Sequence, residues 1–595
     1  MAVKPDTDRR AATRQRAARA ARTAGTAGRG PEAPASEARE SPIADQAAGS
    51  ILGANPFLGI DPRELLGSAI GWVGSLAARP GRAASELMRT GLELGRVAAG
   101  RSDLKPGQGD RRFTDPAWVE NPLYRRLMQS YLAVTAMAHR LVDEAPLSPL
   151  DSQRAHMGVT LLADALAPTN GLLSNPAAVK RAFDTAGLSL LRGARHFAHD
   201  LRENGGMPET VDSRPFQVGG NIAVSPGAVV YRDEVFELIQ YSPSTETVHE
   251  RPVVVIPPQI NKFYVLDLAP GRSFTEYVVG SGMTYFAISW RNPTAAQRGW
   301  GLDTYVQACL DAVEAAGDIT GSDAVNLMGL CAGGITMALQ LGSLAATGSA
   351  DRVSSATFAV AALDTRAPSM IQMFASDAVI ASALSRSRRR GVLDGAEMAR
   401  VFAWMRPNDL VWNYWVNNYL LGNDPPAFDI LSWNADTTRL PAALHAGFLD
   451  LYVRNPLVAP DETTVLGEPI DLRQVRCPTY VLTGITDHIV PWKAGYRTTG
   501  MVGGPCDFVL SSSGHIQSIV NPPGNPKSAY FTGGPLQDDP DVWLQGATQA
   551  KGSWWEHWVG WVGRHAGARR PAPRALGNRR HPVLDDAPGR YVLQK

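Results

Sequence analysis

The sequence predicts an α/β fold in its C-terminal part, with a mostly parallel sheet covered by helices on both faces. Three observations predict it. From about Phe216 onward, apolar runs of strand length alternate with helical stretches. One such run ends in a glycine-flanked cysteine that opens a helix. A carboxylate and a histidine each follow a later run.

The candidate strands are Val253–Ile256, Tyr285–Ser289, Val325–Met328, Ala356–Val360, Tyr480–Leu482 and Phe508–Leu510, with helical patterns at Asp303–Ala316 and Gly333–Leu344. The rhythm breaks from about 370 to 460. That stretch is Trp- and Asn-rich around Trp404–Trp433 and full of turn residues, as expected of a cap inserted over the C-terminal edge of the sheet. Its tryptophans suit either an interface or the interior of the cap. Burial is favoured, because aromatic clusters usually bury their large apolar surfaces.

Four units follow. Residues 1–48 contain almost no large apolar side chains and many arginines. Such a segment cannot offset its ordering entropy and reads as a disordered basic tail. Residues 49–208 read as a mainly helical N-terminal domain, where Tyr124, Leu127, Met128 and Tyr131 recur as on one helix face. Residues 209–566 form the catalytic domain with its cap. Residues 567–595, again rich in Arg, Pro and Gly, read as a C-terminal tail.

Composition narrows the function classes. Of 595 residues, 44% are hydrophobic and 19% charged, which suits a globular chain with a sizeable core. The 58 Lys+Arg nearly balance 57 Asp+Glu, so no basic excess points to nucleic acid. Cys309, Cys331, Cys477 and Cys506 are too few for a disulfide framework, and no pair has C-x-x-C spacing. A reducing compartment is the simpler reading. There is no apolar run of transmembrane length and no apolar signal segment at the start. The expected location is the cytoplasm, free or at some surface.

The sharpest motif is Val325-Asn326-Leu327-Met328-Gly329-Leu330-Cys331-Ala332-Gly333-Gly334. It reads as strand, tight turn, helix. Gly329, Cys331 and Gly333 form G-x-C-x-G, a nucleophile elbow with Cys in place of Ser, and so predict an α/β-hydrolase core. Helix packs on strand at the flanking positions, where a Cβ would clash. The turn lifts the sulfur above the sheet beside a helix N-terminus, which favours an anion there. The Ala332 N–H is placed to stabilise an oxyanion.

Such a site needs an acid and then a histidine, in that chain order. Asp487 follows the run Tyr480-Val481-Leu482, in a loop where the sheet opens to ligand. A turn Asp capping a helix is the bland alternative. His515 follows Phe508–Leu510 in a Gly-containing loop and is the preferred base. His488 is the rival, although its neighbour Asp487 should diverge from it in direction. His445 reads as a helix-face residue, and His156, His196 and His199 lie in the helical N-terminal part. A second oxyanion donor is expected from the loop Pro257-Pro258-Gln259-Ile260-Asn261-Lys262, with Ile260 N–H the candidate.

At these residues the sequence resembles the polyhydroxyalkanoate (bacterial polyester) synthases, from about residue 110 to 565. The likeness is carried by Arg112-Phe113, Trp118 and Asn121-Pro122, then by Pro257–Lys262 and Gly329–Gly334. It continues through Arg406-Pro407-Asn408-Asp409-Leu410-Val411-Trp412-Asn413-Tyr414-Trp415, Asp487-His488-Ile489-Val490-Pro491-Trp492 and Gly514-His515-Ile516-Gln517-Ser518. The family's catalytic Cys, Asp and His fall on Cys331, Asp487 and His515, and its cap falls on the irregular stretch. Length and the segment Asn521–Lys527 look like the single-subunit type.

The resemblance implies an acyltransferase that polymerises (R)-3-hydroxyacyl-coenzyme A through a Cys331 acyl-enzyme. It also implies a homodimer, a place at the surface of cytoplasmic polyester granules, and granule-coat proteins as neighbours. No metal or cofactor is expected, since coenzyme A is part of the substrate and a product. A thioesterase or esterase of the same fold, and a non-catalytic granule-coat protein, are the alternatives.

Overall fold

The computed structural model describes residues 80–107, 110–365, 377–395, 397, 407–487 and 489–595. The expected tail at 1–48, parts of the cap, and His488 lie outside the described residues.

Eleven strands form one sheet: β1 (Gly227–Arg232), β2 (Phe236–Tyr241), β3 (Val253–Ile256), β4 (Tyr285–Trp290), β5 (Val325–Leu330), β6 (Val353–Ala359), β7 (Thr479–Gly484), β8 (Cys506–Ser511), β9 (Ala529–Thr532), β10 (Thr548–Lys551) and β11 (Asp585–Asp586). Their order is β10-β9-β8-β7-β6-β5-β3-β4-β2-β1-β11. The six strands from β8 to β4 are parallel, and the flanking pairs are antiparallel. Residues of β3, β4, β5 and β7 are buried throughout, as expected of parallel strands covered on both faces. Side chains alternate between two apolar cores. Val254, Ile256, Phe286, Ile288 and Leu327 enter one, whereas Val253, Val255, Ala287 and Met328 enter the other.

The N-terminal region is helical, with α1 (Pro80–Ala98), α2 (Pro122–Asp143), α3 (Pro149–Ala165), α4 (Pro176–Asp184) and α5 (Leu188–Glu203). Asn121 caps α2 by accepting from the N–H groups of Leu123 and Tyr124, with Pro122 at the first helical position. On that helix Met128 is buried against Phe113 and Trp118, while Leu127 faces outward. Close packing of α5 on the cap explains two glycines. A Cβ at Gly193 would strike the Tyr419 carbonyl, and one at Gly422 would strike that of Ser189.

In the cap, Trp433 is buried, while Trp412 and Trp415 are half-buried. Trp415 donates to the Asn170 carbonyl at 3.1 Å, so it faces the N-terminal region. His445 is fully buried, with Nδ1 2.9 Å from Ser387 Oγ.

One expectation is corrected. Residues 567–595 are not a tail but part of the fold. Arg569–Pro571 pairs with Thr247–His249, and β11 adds an edge strand beside β1. The charged groups that suggested a solvated segment have partners in the domain. Arg232 pairs with Asp585, the buried Glu237 accepts the N–H groups of Arg590 and Tyr591, and Val592 is buried. Composition alone hides such long-range compensation.

Candidate active site

The sheet delivers the expected elements to one edge. β5 ends at Leu330, and helix α6 (Ala332–Ala346) starts one residue after Cys331. Cys331 sits between them at φ 50° and ψ −122°, a conformation that L side chains rarely adopt. Such strain costs roughly 1–3 kcal/mol and persists only where the surroundings enforce it. Here the Cys331 N–H donates to the Ala359 carbonyl at 3.0 Å, and the Cys331 carbonyl accepts from Gly334 N–H at 2.9 Å. The glycine pattern follows from contact. A Cβ at Gly329 would meet the Gly334 backbone, one at Gly333 the Ile256 and Pro257 carbonyls, and one at Gly334 the Ala361 methyl.

Asp487 follows β7, and His515 opens a short helix after β8. The two strands are parallel neighbours, with Gly484 opposite Ser511, so both loops leave the same edge. His515 Nδ1 lies 2.7 Å from Asp487 Oδ2. The other oxygen, Oδ1, accepts the N–H groups of Ile489 at 2.9 Å and Val490 at 3.0 Å. That fixes the carboxylate. The Cys331 side chain lies close enough to act on the imidazole electrostatically.

Burial would lower the His515 pKa. The Asp487 charge and hydrogen bond, with those of Cys331, outweigh it and push the value up to about 10. Burial pushes Cys309 well up, Cys477 up to about 11 and Cys506 up to about 12, which keeps them as inert thiols.

The structure therefore brings Cys331, His515 and Asp487 to one edge of the sheet, with His515 hydrogen-bonded to Asp487. Ala332 N–H opens α6 and has no intrahelical acceptor. Ile260 lies in the loop after β3, which runs against the start of α6, where Gln259 Nε2 donates to Thr336 Oγ1 at 2.9 Å. Among the described residues no acceptor takes the Ile260 N–H. His199, Asp200 and Glu209 have ligand-type atoms within 4.8 Å of one another and could hold a cation. They belong to the N-terminal side, and Asp200 already accepts from Tyr419 OH at 2.7 Å.

Two residues that position this site were not picked out from sequence. Helix α7 (Trp554–Gly563) carries Trp554 and Trp555, both buried. Their indole N–H groups donate to the carbonyls of Ser518 at 2.5 Å and Ile519 at 3.1 Å, and so anchor the short helix headed by His515. The signal was present: tryptophans at 554, 555, 558 and 561 mark one helix face.

Residues 109–278 match a family described as poly-beta-hydroxybutyrate polymerase (PhaC) N-terminus, and residues 252–522 match the alpha/beta hydrolase fold. The chain is 50% identical to poly(3-hydroxyalkanoate) polymerase 1 of Ectopseudomonas oleovorans over 92% of this chain and 98% of that one. It belongs to the poly(3-hydroxyalkanoate) polymerase family. Polymerase 2 of the same organism is 49% identical over 91% of this chain and 96% of its own. The polymerase subunit of Cupriavidus necator is 39% identical over 84% and 85%. The members are acyltransferases, and in this polymerase the hydrolase core carries a cysteine at the elbow.

Proposed function

We propose that this polymerase joins (R)-3-hydroxyacyl units from coenzyme A thioesters into polyester, through a covalent Cys331 acyl-enzyme. The observation that supports the reading is the strained elbow at Cys331, which lies beside the buried, hydrogen-bonded pair His515–Asp487.

His515 takes the thiol proton as Cys331 Sγ attacks the thioester carbonyl. The carbonyl oxygen gains charge beside the Ala332 and Ile260 N–H groups. Collapse expels the coenzyme A thiolate, which receives the proton from His515. Exchange of one thioester for another preserves the acyl group's transfer potential, which is the chemical reason for sulfur at the elbow. The 3-hydroxyl of a second acyl unit then attacks the Cys331 thioester. His515, held by Asp487, removes the hydroxyl proton, an ester forms and the thiol returns. Asp487 and His515 are shielded from bulk water, which restrains the competing hydrolysis.

No helix among the described residues is long and apolar enough to cross a membrane. The N-terminal helices nevertheless expose large apolar side chains, including Leu123 at 70% and Phe183 at 86%. These support association with the hydrophobic surface of a polyester granule, or with a second copy of the chain. Cytoplasmic granules are then the site of action.

The test is product analysis with an (R)-3-hydroxyacyl-coenzyme A. Polymer with free coenzyme A is the expected outcome. Free hydroxy acid without polymer would replace the reading with a thioesterase.

A further inference from the structure

Lys262 ends the loop that follows β3, and its side chain is almost wholly buried. Its ammonium donates to Asp436 Oδ1 at 2.8 Å, to the Val592 carbonyl at 2.6 Å and to the Gln594 carbonyl at 3.0 Å. An ammonium has three protons, and here each has an acceptor. That saturation is what allows the charge to stay out of water.

The three acceptors come from two other parts of the chain. Asp436 ends the cap helix Asp429–Ala435 and also accepts from Tyr264 OH at 2.9 Å and Lys595 Nζ at 2.8 Å. Val592 and Gln594 belong to the C-terminal segment. The same loop is tied to the cap by its backbone. The Lys262 carbonyl accepts from Trp433 Nε1 at 2.7 Å, the Gln259 carbonyl accepts from Thr438 Oγ1 at 2.9 Å, and Asn261 bridges Thr437. On its other side the loop meets the nucleophile helix through Gln259 and Thr336.

We infer that Lys262 is a positioning residue for acyl transfer, using Asp436 and residues 592–594 to hold the oxyanion loop against the nucleophile helix. This rests on the acyl-enzyme reading given above. The Lys262 ammonium does not touch the reacting atoms. It fixes where the Ile260 N–H lies when the carbonyl oxygen becomes negative. Misplacement of a donor by about 1 Å costs on the order of 100-fold in rate.

The test uses the full chain with Lys262→Met, a second chain ending after Tyr591, and a third carrying both changes. Two rates are read. One is first-turnover release of coenzyme A from a 3-hydroxyacyl thioester. The other is alkylation of Cys331 by iodoacetamide, a displacement at carbon that needs the Cys331–His515 pair but builds no oxyanion. Coenzyme A release should fall roughly 10- to 100-fold in each single variant, with KM held within about threefold. Alkylation should stay within about twofold of the parent, and the combined variant should be little slower than the slower single one. Unchanged coenzyme A release would overturn the inference, and so would alkylation that falls in parallel with it. If the shortened chain does not fold, Lys262→Met alone decides. Failure of the underlying reading looks different: Cys331→Ala would then still release coenzyme A.

Discussion

His515 Nδ1 lies 2.7 Å from Asp487 Oδ2, and both side chains are closed off from solvent. In the proposed reaction the carboxylate orients the imidazole toward Cys331 and balances the charge that the imidazole gains. Asp487→Asn keeps the shape and removes the charge. Coenzyme A release should fall roughly 10²- to 10⁴-fold, the range for loss of positioned acid–base catalysis. Steady-state assay of the purified variant checks this, with its melting temperature confirming that it is folded.

The same pair gives stability a definite pH dependence. An ordinary histidine titrates near about 6.5, and in the fold His515 is pushed up to about 10. A raised folded value stabilises fully below the unfolded pKa, and the contribution is lost as pH rises through the folded pKa. The melting temperature of the parent should therefore exceed that of His515→Gln most near about pH 6, with the gap narrowing toward about pH 10. Scanning calorimetry across that range is the check, and a gap that widens with pH would contradict it.

At Gly333 the constraint is steric. A Cβ there meets the Ile256 and Pro257 carbonyls, which belong to backbone and cannot swing away. Gly333→Ala should cost about 1–3 kcal/mol, in the range for overpacking a tight core. It should also push the loop after β3 away from the elbow. Denaturant unfolding measures the first effect and coenzyme A release the second.

Trp554 acts on the site at one remove. Trp554→Phe retains an aromatic ring among Phe274 and Trp558 but leaves the Ser518 carbonyl without its donor. A loss of roughly 1–3 kcal/mol is expected for a buried acceptor left unmet. The turnover number should drop more than KM rises, since the short helix headed by His515 loses an anchor.

The candidate site residues were legible in sequence because each sits next to a strand end. Cys331, Asp487 and His515 follow β5, β7 and β8, and apolar runs of strand length are hard to mistake when glycine or serine clusters close them. Gly329 and Gly333 were legible for the same local reason. The structure adds Gly334, which must clear Ala361 from a neighbouring strand end. Lys262 and Asp436 were not legible, because their pairing spans 174 residues of chain. The C-terminal segment reads as a tail for a related reason. Arg, Pro and Gly describe a loop or a tail equally well, and only the partners of Asp585, Arg590 and Val592 distinguish them.

In the proposed reaction the growing chain is held on Cys331 as a thioester. Intact-protein mass spectrometry after brief mixing with a 3-hydroxyacyl-coenzyme A tests it most directly, followed by peptide mapping. The expected result is an added acyl mass on the peptide that contains Cys331, released by neutral hydroxylamine, and no adduct and no coenzyme A release from Cys331→Ala. An adduct on another residue, or full coenzyme A release from Cys331→Ala, would contradict it.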